Sequence, residues 1–197
     1  MTDLTARLAP AADADVAALR DRLATRAEAE GLLDVRWRVV DSPVGELLLA
    51  ASDRGLVRVA FAAEGFDAVL ATLATALGSR VLRAPRALDP VAGQLEEYFA
   101  RRRQRFEVAV DLRLSSPFRR RVQEALPGIG FGRTASYAEV AALVGSPGAV
   151  RAVGSACATN PVPVVVPCHR VVRSDGAMGG YRGGPEAKRA LLALEAA

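Results

Sequence analysis

Residues 136–159, SYAEVAALVGSPGAVRAVGSACAT, decide how the second half of this 197-residue chain folds. Tyr137 to Val144 has the spacing of a short helix, and the serine before it is a suitable N-cap. Gly145-Ser-Pro-Gly148 is predicted to be a tight turn, and Ala149 to Thr159 the next helix, with Arg151 near its start. Two short helices joined by about four residues that include glycine are typical of a helix-turn-helix. The segment therefore predicts such a motif, with the second helix as its recognition helix.

The stretch that follows carries the most reactive chemistry of the chain. Pro167-Cys-His-Arg-Val171 holds the one histidine, directly after one of the two cysteines. A nucleophilic cysteine needs a group that takes its proton, because the thiolate is what attacks. A stiff apolar segment, Asn160 to Pro167, leads in, and Gly176 to Gly184 follows with five glycines. We interpret this as a reactive site beside a mobile loop, and Cys157, with no proton acceptor near it in sequence, as inert.

Composition narrows the class of protein. Hydrophobic residues make up 51% of the chain, which indicates a globular protein. No apolar run is long enough to span a bilayer, the start Met1-Thr-Asp-Leu is not a signal peptide, and two cysteines fit a reducing cytoplasm, so we expect a cytoplasmic protein. One histidine and two cysteines cannot furnish a four-ligand zinc site without carboxylates, so no metal is expected.

The pattern along the chain predicts three parts. Residues 1–34 are an acidic, alanine-rich helical extension that Gly31 can end, with apolar residues at helical spacing: Val16, Leu19, Leu23 and Ala27. Residues 35–115 form a small α/β supporting domain, and residues 116–197 form a DNA-binding and catalytic domain. This last part carries ten basic residues against five acidic ones, which suggests a polyanionic partner.

The elements of these parts follow from alternation, helical spacing and turn residues. In the supporting domain we predict strands at 35–40, 46–51, 56–61 and 105–112, a hairpin turn at 52–55, and helices at 66–77 and 90–100. In the last part we predict a helix from Ser116, with Pro117 at its first position, to about Leu126, and a final helix over 185–195. We interpret Arg101 to Arg105 as a solvated helix end, with phosphate contact as the alternative.

Several linked blocks resemble one family, the O6-alkylguanine-DNA alkyltransferases, also called methylated-DNA–protein-cysteine methyltransferases. The blocks are Asn160–Val172 around Pro-Cys-His-Arg, Phe131–Val140, Ala149–Gly154, and Gly180-Tyr-Arg-Gly-Gly with Lys188 and Leu191–Glu195. The resemblance is strong over 116–195, loose over 35–115 and does not cover 1–34. It implies an α+β fold: an N-terminal RNase-H-like α/β domain, then a mainly helical C-terminal domain with a helix-turn-helix and the active-site loop.

The resemblance also implies a reaction: DNA repair by single-use transfer of the alkyl group from O6-alkylguanine, and on the same chemistry O4-alkylthymine, to Cys168 after base flipping. His169 would take the proton through a bridging water, since neighbouring residues rarely face each other. Glu195 would orient the imidazole. Asn160 would be the hinge between recognition helix and active-site strand, leaving Cys168 well exposed to the pocket. Tyr137 would donate its hydroxyl proton toward the leaving guanine.

Further residues are expected at the DNA and at the extruded base. Arg151 matches the arginine finger that fills the space a flipped base leaves. The other expected DNA contacts are Tyr137, Ser174 and Arg119, and the expected base pocket consists of Met178, Tyr181, Arg182 and Pro163. The partner would be double-stranded DNA containing O6-alkylguanine, without a cofactor and without a membrane. The protein would act as a monomer, with clustering on DNA as the alternative.

Other hypotheses about the function remain open at this point. A non-catalytic protein that binds alkylated bases would lack the reactive cysteine, and Cys168 argues against it. A cysteine hydrolase would turn over repeatedly, and a thiol redox sensor would need a resolving cysteine, for which Cys157 is the one candidate. A helix-turn-helix regulator would give a sequence-specific footprint on DNA.

Overall fold

The computed structural model describes residues 13–196. The first part is helix α1, Asp13–Ala29, and Gly31 follows it with a positive φ, as the sequence predicts. Ala24 and Ala27 on α1 are buried against Ala84, whereas Leu19 and Leu23 of the predicted apolar set are 60% and 57% exposed. The helix thus docks through its alanines rather than its leucines. Residues 1–12 of the predicted N-terminal extension lie outside the described residues.

The next part is a four-stranded sheet with two helices. Its strands are β1 Val35–Val40, β2 Leu47–Ser52, β3 Gly55–Phe61 and β4 Val81–Arg83, in the order β3-β2-β1-β4, with β4 parallel to β1 and the other pairs antiparallel. The helices are α2 Phe66–Leu77 and α3 Asp89–Phe99. The hairpin prediction is confirmed, since Ser52 pairs with Gly55 across a two-residue turn.

Both faces of this sheet are covered, which explains the nearly continuous apolar runs of β2 and β3. Alternate residues of a strand point to opposite faces, except where a β-bulge inserts an extra residue, as at Val57 between the partners of Ala50 and Ala51. One face packs on α2 through Leu48, Ala50, Val57 and Ala60. The other packs on α3 and on the second half of the chain through Leu47, Leu49, Val59 and Phe61. The sheet therefore forms the platform on which the C-terminal part rests.

One strand prediction is wrong, and one observed strand has no counterpart among the predictions. Residues 105–112 form no regular strand; they make one parallel bridge, between Val110 and Leu56. The alternation arises because Phe106, Val108 and Val110 pack partly buried against the core, while most of the backbone of this segment stays outside the sheet. The strand β4 was not predicted, since three residues are too few to show a period.

The C-terminal part is mainly helical. It contains α4 Pro117–Ala125, α5 Tyr137–Leu143, α6 Val150–Ala158 and α7 Gly184–Ala196, with the short parallel pair β5 Ala135–Ser136 and β6 Val171–Val172. The helix-turn-helix prediction is confirmed in α5 and α6. Ser136 and Glu139 form a reciprocal capping box at the start of α5. Among residues 13–196, no helix is both long and apolar enough to cross a membrane.

Candidate active site

The segment between α6 and Cys168 is a turn clamped by Asn160, not the strand expected from the resemblance. The Asn160 side chain accepts a hydrogen bond from the Val162 amide at 3.0 Å and donates to the Val166 carbonyl at 2.8 Å. Val164 has a φ of 73°, which is strained for a β-branched residue. The same Asn160 nitrogen, Nδ2, also lies 3.1 Å from the sulfur of Cys168. One side chain therefore both closes the turn and contacts the candidate nucleophile.

Cys168 begins a single 3-10 turn, Cys168–Arg170, and it is only 2% exposed. This corrects the expectation of a well-exposed sulfur: every residue from 160 to 171 is buried. Burial raises the pKa of the Cys168 thiol to about 11, against the opposing effects of the Asn160 hydrogen bond and the Lys188 charge. The resting group is therefore a thiol, and it must lose its proton during the reaction.

His169 and Glu195 form a buried pair at the end of the chain. Imidazole Nε2 lies 2.9 Å from Glu195 Oε1, and because an ionised carboxylate only accepts, Nε2 carries the hydrogen. Burial lowers the pKa of His169 despite the opposing effect of Glu195, so the ring is neutral near pH 7. Burial would raise the pKa of Glu195, but hydrogen bonds from His169, Arg170 and Tyr98 bring it to about 2. Nδ1 is therefore the nitrogen that can accept a proton.

The sequence reasoning missed two side chains that hold Glu195. Arg170 donates from Nε to Oε2 and from Nη2 to Oε1, both at 2.9 Å, in a two-pronged ion pair. Tyr98, on α3, donates its hydroxyl to Oε1 at 2.6 Å. Arg170 stood inside the Pro-Cys-His-Arg block and could have been suspected. Nothing in the sequence near Tyr98 signals this contact, since 97 positions separate it from Glu195.

A third residue whose role the sequence did not indicate is Lys188, which belongs to the last block of the resemblance. Its side chain is fully buried, and Nζ donates to the Val171 carbonyl at 2.6 Å. The ammonium ties α7 to the chain just after the Cys168 turn. Its charge also opposes the effect of burial on the pKa of Cys168 and so helps to stabilise a thiolate there.

The expected DNA-contacting residues occupy three elements. Tyr137, the first residue of α5, is half-buried, and its ring packs on the backbone of Gly179. Arg151 is exposed at the start of α6, and Ser174 is exposed in the loop after β6. Arg119 on α4 donates to the Ser155 hydroxyl of α6 at 3.2 Å. Their contacts with DNA stay predictions.

The expected pocket residues have different contacts in this structure. The Tyr181 ring stands edge-on to His169, with centroids 6.3 Å apart. Pro163 is buried in the clamped turn. Met178 lines a cavity of about 240 Å³ with Gly132 and Glu195, among others. Arg182 pairs instead with a carboxylate of the N-terminal part, Glu64, at 2.8 Å.

Comparison with known proteins agrees with this architecture. Residues 35–112 match the ribonuclease-like domain of 6-O-methylguanine DNA methyltransferase, and residues 117–197 match its DNA-binding domain. The methylated-DNA–protein-cysteine methyltransferase of Mycolicibacterium paratuberculosis is 42% identical over 82% of this chain and 92% of its own length. The constitutive enzyme of that name from Bacillus subtilis is 36% identical over 81% and 94%.

A solved structure gives the same result. The crystal structure of Mycobacterium tuberculosis OGT in complex with DNA is 38% identical, covers 82% of this chain and 92% of that one, and superimposes with a TM-score of 0.72. Sequence and fold therefore agree over both parts of the chain after α1. The chain belongs to the 6-O-methylguanine DNA methyltransferase family.

Proposed function

We propose that this protein repairs DNA by direct reversal, as a methylated-DNA–protein-cysteine S-methyltransferase that moves the alkyl group of O6-alkylguanine onto its own Cys168. The observation that carries the proposal is the buried set in which Asn160 contacts the Cys168 sulfur and Glu195 orients His169. A thiol beside a neutral, oriented base is what nucleophilic attack by sulfur requires.

The chemistry balances without a cofactor. The thiol proton passes to His169 Nδ1 through a bridging water, and the sulfur forms a bond to the alkyl carbon. The carbon–O6 bond breaks, and its electron pair stays with guanine, which leaves after taking a proton that the Tyr137 hydroxyl donates. His169 then returns the thiol proton through solvent to the Tyr137 oxygen, which restores both side chains. The products are guanine and an S-alkyl cysteine.

The thioether makes the protein a single-use reagent. A thiolate is a far poorer leaving group from an alkyl carbon than the guanine oxygen is, so the alkyl group stays on Cys168. The other cysteine of the described residues, Cys157, is a poor second acceptor, because burial and the neighbouring Cys168 raise its pKa to about 12. Turnover would therefore stop after one event.

DNA would bind at the face formed by the helix-turn-helix. The exposed Arg151 would enter the duplex where the base leaves, and Arg119, Ser174 and Tyr137 would contact the backbone. The relative solved with DNA supports DNA as the partner. The net positive charge of residues 116–197 would favour it independently of base sequence.

Because Cys168 is 2% exposed, entry of the base requires a local movement. The loop from Gly176 to Gly184 would shift away, together with Tyr137, which packs on Gly179. This movement would open a pocket lined by Pro163, Met178, Tyr181 and Arg182. Such loop movements are a common way to admit a substrate and then exclude water.

The protein would act as a cytoplasmic monomer, with clustering on DNA as the alternative, and O4-alkylthymine would be a second substrate. Sedimentation with and without duplex DNA separates the monomer from clusters. Residues 35–115 and 116–197 would be the supporting and catalytic domains, with residues 1–34 as a docked extension.

The test is the fate of a labelled alkyl group. The protein is mixed with excess duplex DNA containing one radiolabelled O6-methylguanine, and the label on protein is counted and located by mass spectrometry. We expect one label per molecule, on Cys168, none in Cys168→Ser and an unchanged amount in Cys157→Ser. Label released as methanol would indicate a hydrolase. Tight binding without transfer would indicate a lesion-binding protein.

A further inference from the structure

Tyr98 is a fully buried side chain of the N-terminal part that reaches the candidate active site. It sits near the end of α3. Three aromatic rings surround it, those of Phe99, Phe106 and Phe131, with centroids 5.3, 5.2 and 6.0 Å away. The hydroxyl of this packed ring is directed at Glu195.

The Tyr98 hydroxyl shares one carboxylate oxygen with the imidazole. Oε1 of Glu195 accepts from Tyr98 at 2.6 Å, from His169 Nε2 at 2.9 Å and from Arg170 at 2.9 Å. The other oxygen, Oε2, accepts from Arg170 and from the Gly132 amide at 3.3 Å. The hydroxyl also lies 3.5 Å from Nε2 itself. Removing the Tyr98 hydroxyl would therefore take one hydrogen bond from Oε1, the carboxylate oxygen that accepts from His169.

Tyr98 can act only as a hydrogen donor here. Burial and the negative charge of Glu195 raise its pKa well above the ordinary value, so the phenol stays protonated near neutral pH. Each hydrogen bond that an ionised carboxylate accepts lowers its basicity. A carboxylate held by Tyr98 therefore draws the His169 proton less strongly than one without it.

We infer that Tyr98 is a positioning residue of the alkyl transfer, which sets how strongly Glu195 acts on His169 and thereby keeps the imidazole free to accept the thiol proton. The N-terminal part then supplies a group to the reacting network as well as support. The inference rests on the proposed function, since it concerns the proton acceptor of that reaction.

Other groups also face the imidazole, and they stay constant in the test. They are Arg170 and Cys168 beside it in the chain, Glu195 and Lys188 on α7, and Tyr181, whose ring stands edge-on to it. Lys188 and Arg170 lower the pKa of His169, and Glu195 raises it. Unlike these groups, Tyr98 acts on Glu195 from helix α3 of the N-terminal part.

The experiment measures the rate of single-turnover transfer from O6-benzylguanine between pH 5 and 9, in the full chain and in Tyr98→Phe. The acidic limb reports protonation of His169. Removing the donor should move its midpoint upward by about 0.5–1 pH unit. Because the chain has one histidine, NMR can follow the same imidazole directly and should show the same shift. An unmoved or lowered midpoint would overturn the inference.

A control and a second variant cover a purely structural role. Leu95→Val removes one carbon from the same helix and core, and should lower stability without moving the limb. Site-specific 3-fluorotyrosine at position 98 strengthens the donor with almost no change in size, and should move the His169 midpoint downward. If Tyr98→Phe fails to fold, an unmoved midpoint in the fluorinated protein overturns the inference. Absence of benzyl transfer in the unmodified chain would instead contradict the proposed function.

Discussion

The side-chain nitrogen of Asn160 lies 3.1 Å from the sulfur of Cys168, and both groups are almost completely buried. This nitrogen is a side-chain hydrogen donor that can stabilise negative charge on the sulfur without a proton transfer. The same side chain holds the Val162 amide and the Val166 carbonyl. The rigidity of the turn and the reactivity of the thiol therefore depend on one residue.

Asn160→Asp should weaken both roles, because it removes the nitrogen that donates to the Val166 carbonyl as well as to the sulfur. The aspartate keeps an oxygen for the Val162 amide but replaces the donor facing Cys168 by a second acceptor. Hydrogen bonds to charged groups contribute about 1.5–3 kcal/mol, so transfer should slow by roughly 10–100-fold. Single-turnover transfer from O6-benzylguanine measures the rate, with Cys157→Ser as the control for a conservative change at another buried position of the same part. A rate within twofold of the unmodified protein would contradict a role for this contact.

His169 should make the fold less stable in mild acid. Burial lowers its pKa in the folded state below the ordinary 6.5, so below pH 6.5 the unfolded chain binds a proton that the folded chain does not. The stabilisation is complete above about pH 6.5 and decreases as pH falls, by at most about 1.4 kcal/mol per pH unit. Urea unfolding between pH 8 and 5 measures it.

The matched variant for this prediction is His169→Asn, which removes the single imidazole of the chain. Its free energy of unfolding should be nearly flat from pH 6.5 to 5, whatever its absolute value. An equal slope in both proteins would show that the imidazole titrates alike in the folded and unfolded states.

Glu195→Gln should reduce both stability and reaction. It leaves the buried guanidinium of Arg170 without its anion, and breaking a buried pair costs about 3–5 kcal/mol. Loss of an oriented base should lower the transfer rate by roughly 10²–10⁴-fold. The stabilisation by Glu195 is present above its unfolded pKa near 4.5 and is lost as pH falls toward about 2, because its folded pKa is lowered.

The chain offers a matched control in the same helix. Glu186→Gln removes a carboxylate that pairs with Arg189 at the exposed start of α7. Unfolding and transfer should be unchanged there. Equal effects of the two substitutions would indicate that helix charge, rather than the buried network, explains the result.

Glu64 forms two ion pairs, one of which joins the loop to the N-terminal part. Substitutions of the carboxylate and of the loop arginine should have unequal effects. Glu64 pairs with Arg182 of the loop and with Arg58 of β3, and all three side chains are 25% exposed or less. Glu64→Gln leaves two guanidinium groups without an anion and should destabilise the fold by roughly 2–4 kcal/mol. Arg182→Gln leaves Arg58 to neutralise Glu64 and should cost less than about 1 kcal/mol.

Thermal unfolding and hydrogen exchange distinguish the two variants. Arg182→Gln should accelerate exchange of the loop amides between Gly179 and Gly184 while leaving the amides of α2 unchanged. If it destabilises the fold as much as Glu64→Gln does, the two cations are not alternative partners of one carboxylate.

Local pattern predicted most helices and the hairpin because their signals lie within a few residues of each other. Helix α2 begins and ends where the sequence predicts, and Ser136 caps α5 as expected. The candidate nucleophile and base were recognisable for the same reason, since Cys168 and His169 are adjacent. The predictions that failed depend on contacts between segments that are distant in the sequence.

The failures depend on which distant segments meet. The alternation in 105–112 is real, but only packing shows that its backbone stays outside the sheet. Burial of Cys168 depends on walls contributed by other elements, and the contact of Tyr98 with Glu195 joins the two halves of the chain. None of these has a local signature, because each is set by how the two halves pack.

Gly179→Ala should test the closed arrangement of Tyr137 over the loop. A Cβ at position 179 would overlap the Tyr137 hydroxyl and lie 2.9 Å from the ring carbon Cζ. The backbone of Gly179 is not in the left-handed region, so the cost of alanine arises from this overlap. The ring must therefore move, which should cost about 1–3 kcal/mol. Displacing a group that acts on the substrate should also slow transfer, by up to about 100-fold.

The neighbouring glycine supplies the control. A Cβ at Gly180 meets nothing within 4 Å, so Gly180→Ala should leave stability and rate nearly unchanged. In a Tyr137→Phe background the hydroxyl overlap is gone, and the stability cost of Gly179→Ala should decrease. Thermal unfolding of the four proteins in this cycle measures the coupling. Purely additive effects would show that the cost arises in the loop backbone and not in its contact with Tyr137.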